Sequence, residues 1–267
     1  VGLEAAMHYW LVMPAAGAGR RFGGLKQFAA LGSGSVLEVA LRPFLADPQC
    51  LGGSIVLAPG EPRRAELAQQ IPPRFALIDG GPERVHSVMH GLAALGARAD
   101  AADWVLVHDA VRPCLSAADL ARLLQSAPES APESAPESAH GALLAVPVAD
   151  TVKQAHAAAS GSQASGSPAL GSPALDSKDA PRRCAATIPR DALWLAQTPQ
   201  MFRYGPLRAA LARAVDAGRI PTDEAQAMEW EGLTALLVRA RDHNIKVTSA
   251  ADLGLARAIL AAREESQ

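Results

Sequence analysis

The chain has 267 residues, 49% of them hydrophobic and 19% charged, with 25 Lys and Arg against 27 Asp and Glu for a net charge of -2. This is the composition of a soluble globular protein with a core the size of one large domain, and its scattered cations exclude the basic field that a nucleic-acid backbone requires. Cys50, Cys114 and Cys184 are odd in number and far apart, so they suggest neither a disulfide framework nor a zinc site, and a reducing cytoplasm is the expected compartment.

Residues 1–9 carry Glu4, no basic cluster and no long apolar run, and are read as an N-terminal extension rather than a signal peptide. No stretch approaches the roughly 20 apolar residues that span a bilayer, so no membrane is expected as a partner. Short apolar runs follow at Trp10–Met13, Ser54–Ala58, Phe75–Ile78, Trp104–Val107 and Leu143–Val146, each apolar on both faces as buried parallel strands are. Between the first two, Ser35 and Glu38 form a capping-box pattern ahead of a helical face of Leu37, Leu41, Phe44 and Leu45. A second crossover helix carries Val85, Val88, Leu92 and Leu95, and a third starts near Ser116 with Leu120, Leu123 and Leu124. The alternation predicts an α/β fold, an open, mostly parallel sheet with helices on both faces.

Two segments stand outside that pattern. Residues 126–139 repeat Ser-Ala-Pro-Glu, residues 156–181 repeat Gly-Ser-Pro-Ala-Leu, and both are read as low-complexity insertions. Towards the C-terminus, Thr222-Asp-Glu is expected to cap one helix with the Thr222 hydroxyl. Ser249 and Asp252 cap a final helix over 253–262.

The densest chemical signal lies directly after the first strand, in Pro14-Ala-Ala-Gly-Ala-Gly-Arg-Arg-Phe-Gly-Gly-Leu-Lys26. Small residues let the backbone approach a phosphate chain with its N–H groups exposed, and Arg20, Arg21 and Lys26 add positive charge. A tight strand-to-helix turn would explain the glycines but not the three cations. The string lacks the Gly-Lys-Ser/Thr ending of the common NTP loop and the third glycine of the dinucleotide fingerprint, which disfavours ordinary NTP hydrolysis and hydride transfer. A second signal, His108-Asp-Ala-Val-Arg-Pro113, closes a buried strand. Asp109 is suited to hold Mg2+ against phosphate oxygens. Arg112 either clamps a phosphate or pairs with Asp109, and His108 reads as a packing residue.

Taken with Asp79-Gly-Gly-x-x-Arg84-x-x-Ser87, Pro147-Val-x-Asp-Thr-x-Lys153, Gln197-Thr-Pro-Gln200, Thr222-Asp-Glu224 and Asn244-Ile-Lys-Val-Thr248, these strings resemble the 2-C-methyl-D-erythritol 4-phosphate cytidylyltransferases of the non-mevalonate isoprenoid pathway. The resemblance runs in order from about residue 11 to about residue 260. It implies a single Rossmann-like nucleotidyltransferase domain over 10–263 with a protruding β-arm, within about 147–190, exchanged across a homodimer. It implies transfer of a cytidylyl group from CTP to the polyol phosphate with release of pyrophosphate, Mg2+ as cofactor, and Arg21 and Lys26 as catalytic cations. CTP would be held by Ala15, Ala16, Gly17, Gly19, Gly81, Ser87, Ala110 and Lys246, and the metal by Asp109. The acceptor would meet Arg112, Thr151, Arg190, Thr198, Thr222 and Thr248, with helix capping alone the competing role for Thr222. The chain departs from the family pattern in a short 22–25 stretch, with Leu25 where proline is usual, and in Pro82, which offers a carbonyl but no N–H to a base. Two other readings remain at this stage: a ribitol-5-phosphate cytidylyltransferase, and a non-catalytic nucleotide-binding protein on the same scaffold.

Overall fold

The structure, a computed structural model, describes residues 7–17, 22, 24–127, 139–156, 181–241 and 243–265. Most of both low-complexity insertions, with Gly19, Arg20, Arg21 and Asp242, lies outside the described residues. The chain forms two compact units, one of Val1–Val146 with Ala196–Gln267 and one of Pro147–Leu195.

The first unit is built on a seven-stranded sheet. Its strands are β1 (Tyr9–Pro14), β4 (Cys50–Leu57), β5 (Phe75–Asp79), β6 (Trp104–Val107), β7 (Gly141–Pro147), β10 (Trp194–Arg203) and β11 (Ala235–Arg239), in the spatial order β11-β7-β10-β6-β1-β4-β5. The ladders β1–β4, β1–β6, β4–β5 and β7–β11 are parallel, and β10 runs antiparallel to β6. All five predicted strands are therefore present, with small changes of boundary; the first begins at Tyr9, inside the expected extension. The short pair β2 (Ala30–Leu31) and β3 (Gly34–Ser35) forms a separate hairpin that leads into α1 (Val36–Ala46).

Alternation along β1 assigns the two layers. Tyr9, Leu11 and Met13 point into one core with α1, α2 (Arg64–Gln70) and α4 (Ala117–Gln125). Trp10 and Val12 point into the other, with α3 (Arg84–Leu95), α5 (Tyr204–Asp216) and α6 (Glu224–Glu229). A third apolar cluster seats α7 (Ala250–Glu264) through Leu253 and Ala256 on Leu31, Val36, Val39 and Val247. Close strand approach has a residue-level cause at Gly53, where a Cβ would sit 2.0 Å from the Leu11 carbonyl oxygen of the neighbouring strand.

The capping expectations divide. Ser35 and Glu38 form the capping box of α1, Ser116 caps α4, and Ser249 with Asp252 boxes α7, whose bounds extend beyond the expected 253–262. At α6 the cap is Asp223, which accepts from the Gln226 amide at 2.9 Å, and not Thr222, whose own N–H donates to Gln226 Oε1 at 2.9 Å. The Asp223 carboxylate, one position later, meets the orphan amide of the first turn, so the Thr222 hydroxyl is not the cap.

In the second unit, β8 (Val152–Ala155) pairs antiparallel with β9 (Cys184–Ile188). Val148 N–H donates to Leu193 O at 3.0 Å, His156 N–H to Arg183 O at 3.0 Å, and Arg190 donates to the Ala149 carbonyl. Paired stems thus flank the second insertion on both sides.

Candidate active site

Three parallel strands deliver their C-terminal ends to one cavity of about 360 Å³. Pro14, Ala15, Ala16 and Gly17 enter it from the end of β1 and the loop after it; Gly81, Pro82 and Glu83 come from the β5–α3 turn, Arg84 and Ser87 from the start of α3, and Asp109 and Val111 from the loop after β6. Lys26, Gln27 and Lys246 complete the lining. This is where an open parallel sheet binds ligands, because loops there leave the sheet to opposite sides and open a crevice.

The loop after β1 is held from beneath. Ala15 N–H donates to Val56 O at 2.7 Å, and the buried Gln27 side chain donates from Nε2 to Ala15 O at 2.9 Å and Gly17 O at 3.2 Å. Carbonyls tied down by Gln27 cannot face the cavity as negative dipoles, so the loop is suited to an anion. Gly80 sits under the same loop: a Cβ there would lie 2.5 Å from Ala16 Cβ and 2.8 Å from Ser87 Oγ. Ser87 Oγ also accepts from the Gly81 amide at 3.2 Å, which fixes the turn expected to face the base.

Asp109 is the electrostatic centre. Its Oδ1 accepts from Arg84 Nε at 3.0 Å and its Oδ2 from Lys246 Nζ at 2.7 Å, with Arg112 Nε 4.0 Å away. Burial alone would raise its pKa, but Arg84, Lys246 and Arg112 together hold the carboxyl well below the usual range, so it is ionised. Arg84 in turn forks onto the buried Glu224, Nη1 to Oε1 at 2.7 Å and Nη2 to Oε2 at 3.1 Å.

His108 lies behind Asp109 in the core, against the Phe44 ring. The Arg112 carbonyl at 3.2 Å from Nε2 can only accept, so Nε2 carries the proton. The Thr198 hydroxyl accepts from Asp109 N–H at 3.0 Å and turns its own proton to His108 Nδ1 at 3.2 Å. Burial, first, pushes the imidazole down to about 4, so it is a neutral brace for the Asp109–Arg112 turn, which is the packing role expected for it.

Of the residues singled out from sequence, Ala15, Ala16, Gly17, Lys26, Gly81, Ser87, Asp109 and Lys246 line the cavity. Ala110 is buried beneath the loops and packs in the core. Arg112 both donates to Asn244 O at 2.8 Å and lies near Asp109, so the ion-pair alternative is present in the geometry. Thr198 is buried in the brace just described, and the Thr248 hydroxyl donates to Asp252 Oδ2 at 2.6 Å in the cap of α7. Thr222 does not line the cavity, while Thr151 and Arg190 belong to the second unit. Gly19 and Arg21 lie outside the described residues. Sequence reasoning assigned no site role to Gln27 or Arg84 and gave Glu224 only a place at a helix start. Among the described residues, no three His, Cys, Asp or Glu side chains converge to cage a metal, and no helix is long and apolar enough to cross a membrane.

Comparison with known proteins narrows the chemistry. The IspD family model, 2-C-methyl-D-erythritol 4-phosphate cytidylyltransferase, matches residues 9–167 and 171–262. The enzyme of that name from Ectopseudomonas mendocina (strain ymp) is 41% identical over 252 residues, 93% of this chain and 94% of its own. That from Halorhodospira halophila (strain DSM 244 / SL1) is 41% identical over 261 residues, 96% of this chain and 95% of its own. Among solved structures, a 4-diphosphocytidyl-2C-methyl-D-erythritol synthase superimposes with a TM-score of 0.73 at 31% identity, covering 96% of this chain and all of that one. The Francisella tularensis 2-C-methyl-D-erythritol 4-phosphate cytidylyltransferase gives 0.70 at 27% identity, covering 94% of this chain and 99% of that one. With a family model matched over residues 9–167 and 171–262 and a relative 41% identical across 93% of this chain, the chain belongs to the 2-C-methyl-D-erythritol 4-phosphate cytidylyltransferase family.

Proposed function

We propose that this protein transfers the cytidylyl group of CTP to 2-C-methyl-D-erythritol 4-phosphate, giving 4-diphosphocytidyl-2-C-methyl-D-erythritol and pyrophosphate. The observation that carries the reading is the cavity itself: an anion-suited backbone loop, Lys26 and Lys246 at its wall, and an ionised Asp109 braced at its floor. The acceptor phosphate is already ionised, so in-line attack on the α-phosphorus needs no general base, and a neutral, buried His108 is consistent with that. Acceleration then rests on positioning and on neutralising charge as the α-phosphorus becomes five-coordinate, the role we give to Lys26 and Arg21.

Ala15, Ala16 and Gly17, with Gly19, hold the triphosphate in this reading, Lys246 adds charge to it, and Gly81 and Ser87 face the cytosine and ribose. Ala110 contributes from below the loop. Arg112, Thr198, Thr222 and Thr248 form the acceptor side. Pro82 accepts from the cytosine amino group through its carbonyl. Thr151 and Arg190 come from an arm exchanged across a homodimer, with the cytoplasm as compartment.

A divalent cation fits the donor set. Asp109 is a hard, ionised oxygen donor on the cavity wall, and Mg2+ is commonly held by one or two carboxylates together with substrate phosphates. When bound, Mg2+ would supply neutralisation of the triphosphate oxygens. Asp109 would hold the cation, and Lys246, which donates to its Oδ2, would add charge to the phosphates.

The purified protein with Mg2+, CTP and either methylerythritol phosphate or ribitol phosphate tests the reading by pyrophosphate release. Release with methylerythritol phosphate at much the higher kcat/KM is expected. No release with either acceptor, or a preference for ribitol phosphate, overturns it.

A further inference from the structure

Arg84 opens α3 but does not cap it or point freely into the cavity, because its guanidinium spans two carboxylates from distant parts of the chain. Glu224, the first residue of α6, is 1% exposed and takes both Nη atoms, while Nε is left for Asp109. Glu224 is itself held still. Gln200 donates from Nε2 to the α6 cap Asp223 at 2.9 Å and accepts from Ala225 N–H at 2.9 Å, which anchors that helix start to β10.

The two oxygens of Asp109 therefore differ. Oδ1 faces a guanidinium fixed from behind by a bidentate fork, whereas the hydrogen-bond partner of Oδ2 is Lys246, whose flexible side chain is 41% exposed and lines the cavity, with Arg112 Nε standing off at 4.0 Å. We infer that Arg84, braced by Glu224, is a positioning residue that locks Asp109 Oδ1 into the protein, so that Asp109 serves the nucleotide's divalent cation through Oδ2 alone. Mg2+ prefers octahedral sites with single-oxygen ligands, and a carboxylate free to rotate would sample orientations that miss it. The inference rests on the nucleotidyl-transfer reading but concerns cation seating, which can be measured without turnover.

The test titrates Mn2+ into the full-length protein with CTP held below the protein concentration and follows free Mn2+ by electron paramagnetic resonance against a protein-free CTP control, for wild type, Glu224→Gln, Arg84→Lys and Arg84→Met. Glu224→Gln should keep its circular dichroism spectrum and bind metal-free CTP much as wild type does. Its Mn2+ half-saturation should rise by about tenfold, within the roughly 10- to 100-fold cost of disturbing groups that orient a metal ligand. Arg84→Lys, which keeps the charge but loses the fork, should fall between wild type and Arg84→Met. A merely structural role would reduce the bound amplitude through loss of folded protein and leave the midpoint unmoved. Should Arg84→Met fail to fold, Glu224→Gln and Arg84→Lys decide the matter. Folded Glu224→Gln with a midpoint within about twofold of wild type overturns the inference, as does wild type that takes up no Mn2+ with CTP. Absence of turnover with normal Mn2+ seating would instead count against the transfer reading.

Discussion

Gln27 shows how a residue that need not touch substrate can set the chemistry of a loop. Its amide satisfies the carbonyls of Ala15 and Gly17, and the side chain is almost fully buried. Gln27→Ala leaves those acceptors without their partner, at a cost of about 1–3 kcal/mol in stability. CTP affinity should weaken at the same time, measurable by urea denaturation and CTP titration of the one variant. His108 makes a second prediction, in pH. Burial lowers its folded pKa to about 4, below its ordinary 6.5, so the unfolded chain takes up a proton that the folded chain refuses. Stability must fall as pH drops from about 6.5 towards 4 and be fully recovered above that window. His108→Gln should be less stable at neutral pH yet show a shallower decline over the same window in urea midpoints; an unchanged slope would contradict the assignment. Asp109 was legible in the sequence because a lone carboxylate ended a buried apolar strand. The role of Arg84 was not, because it depends on Glu224, 140 positions away, and separation of that kind leaves no local pattern.

At the level of elements, the legible parts were those that obey a period or a cap. The strands around β1 are apolar on both faces and so read directly as buried parallel strands. β10 was missed because Gln197, Thr198, Pro199 and Gln200 separate Trp194–Ala196 from Met201 and Phe202, so no continuous apolar run marks it. α5 was equally unread, although Leu207, Ala210, Leu211 and Ala214 share one buried face; alanines give that stripe little contrast. The cap of α7 carries its own prediction. Asp252 Oδ2 accepts from the Thr248 hydroxyl, the Thr248 amide and the Ser249 amide, and these bonds draw its pKa down to about 2. Asp252→Ala should cost about 0.5–2 kcal/mol in chemical denaturation. Because the folded pKa is depressed, the contribution is present above about pH 4 and is lost as pH falls towards 2, so wild type and variant should converge in acid.

For the molecule as a whole, the seven-stranded sheet brings β1, β5 and β6 ends together, and the cavity follows from that order rather than from any single motif. The second unit, with its β8–β9 pair, is where the proposed arm exchange is tested. If each site needs Arg21 from one chain and Arg190 from the other, mixing inactive Arg21→Ala and Arg190→Ala chains should regain up to about a quarter of wild-type activity, assuming random pairing and one intact site per mixed dimer. No recovery in verified heterodimers would show that the sites are self-contained. The most direct measurement of the central claim is phosphorus NMR of one reaction containing the protein, Mg2+, CTP and methylerythritol phosphate. Transfer predicts a new diphosphate diester that grows in equal amount with pyrophosphate as the CTP and acceptor signals fall. Unchanged CTP, or its conversion to CMP or CDP with the acceptor signal intact, would contradict it.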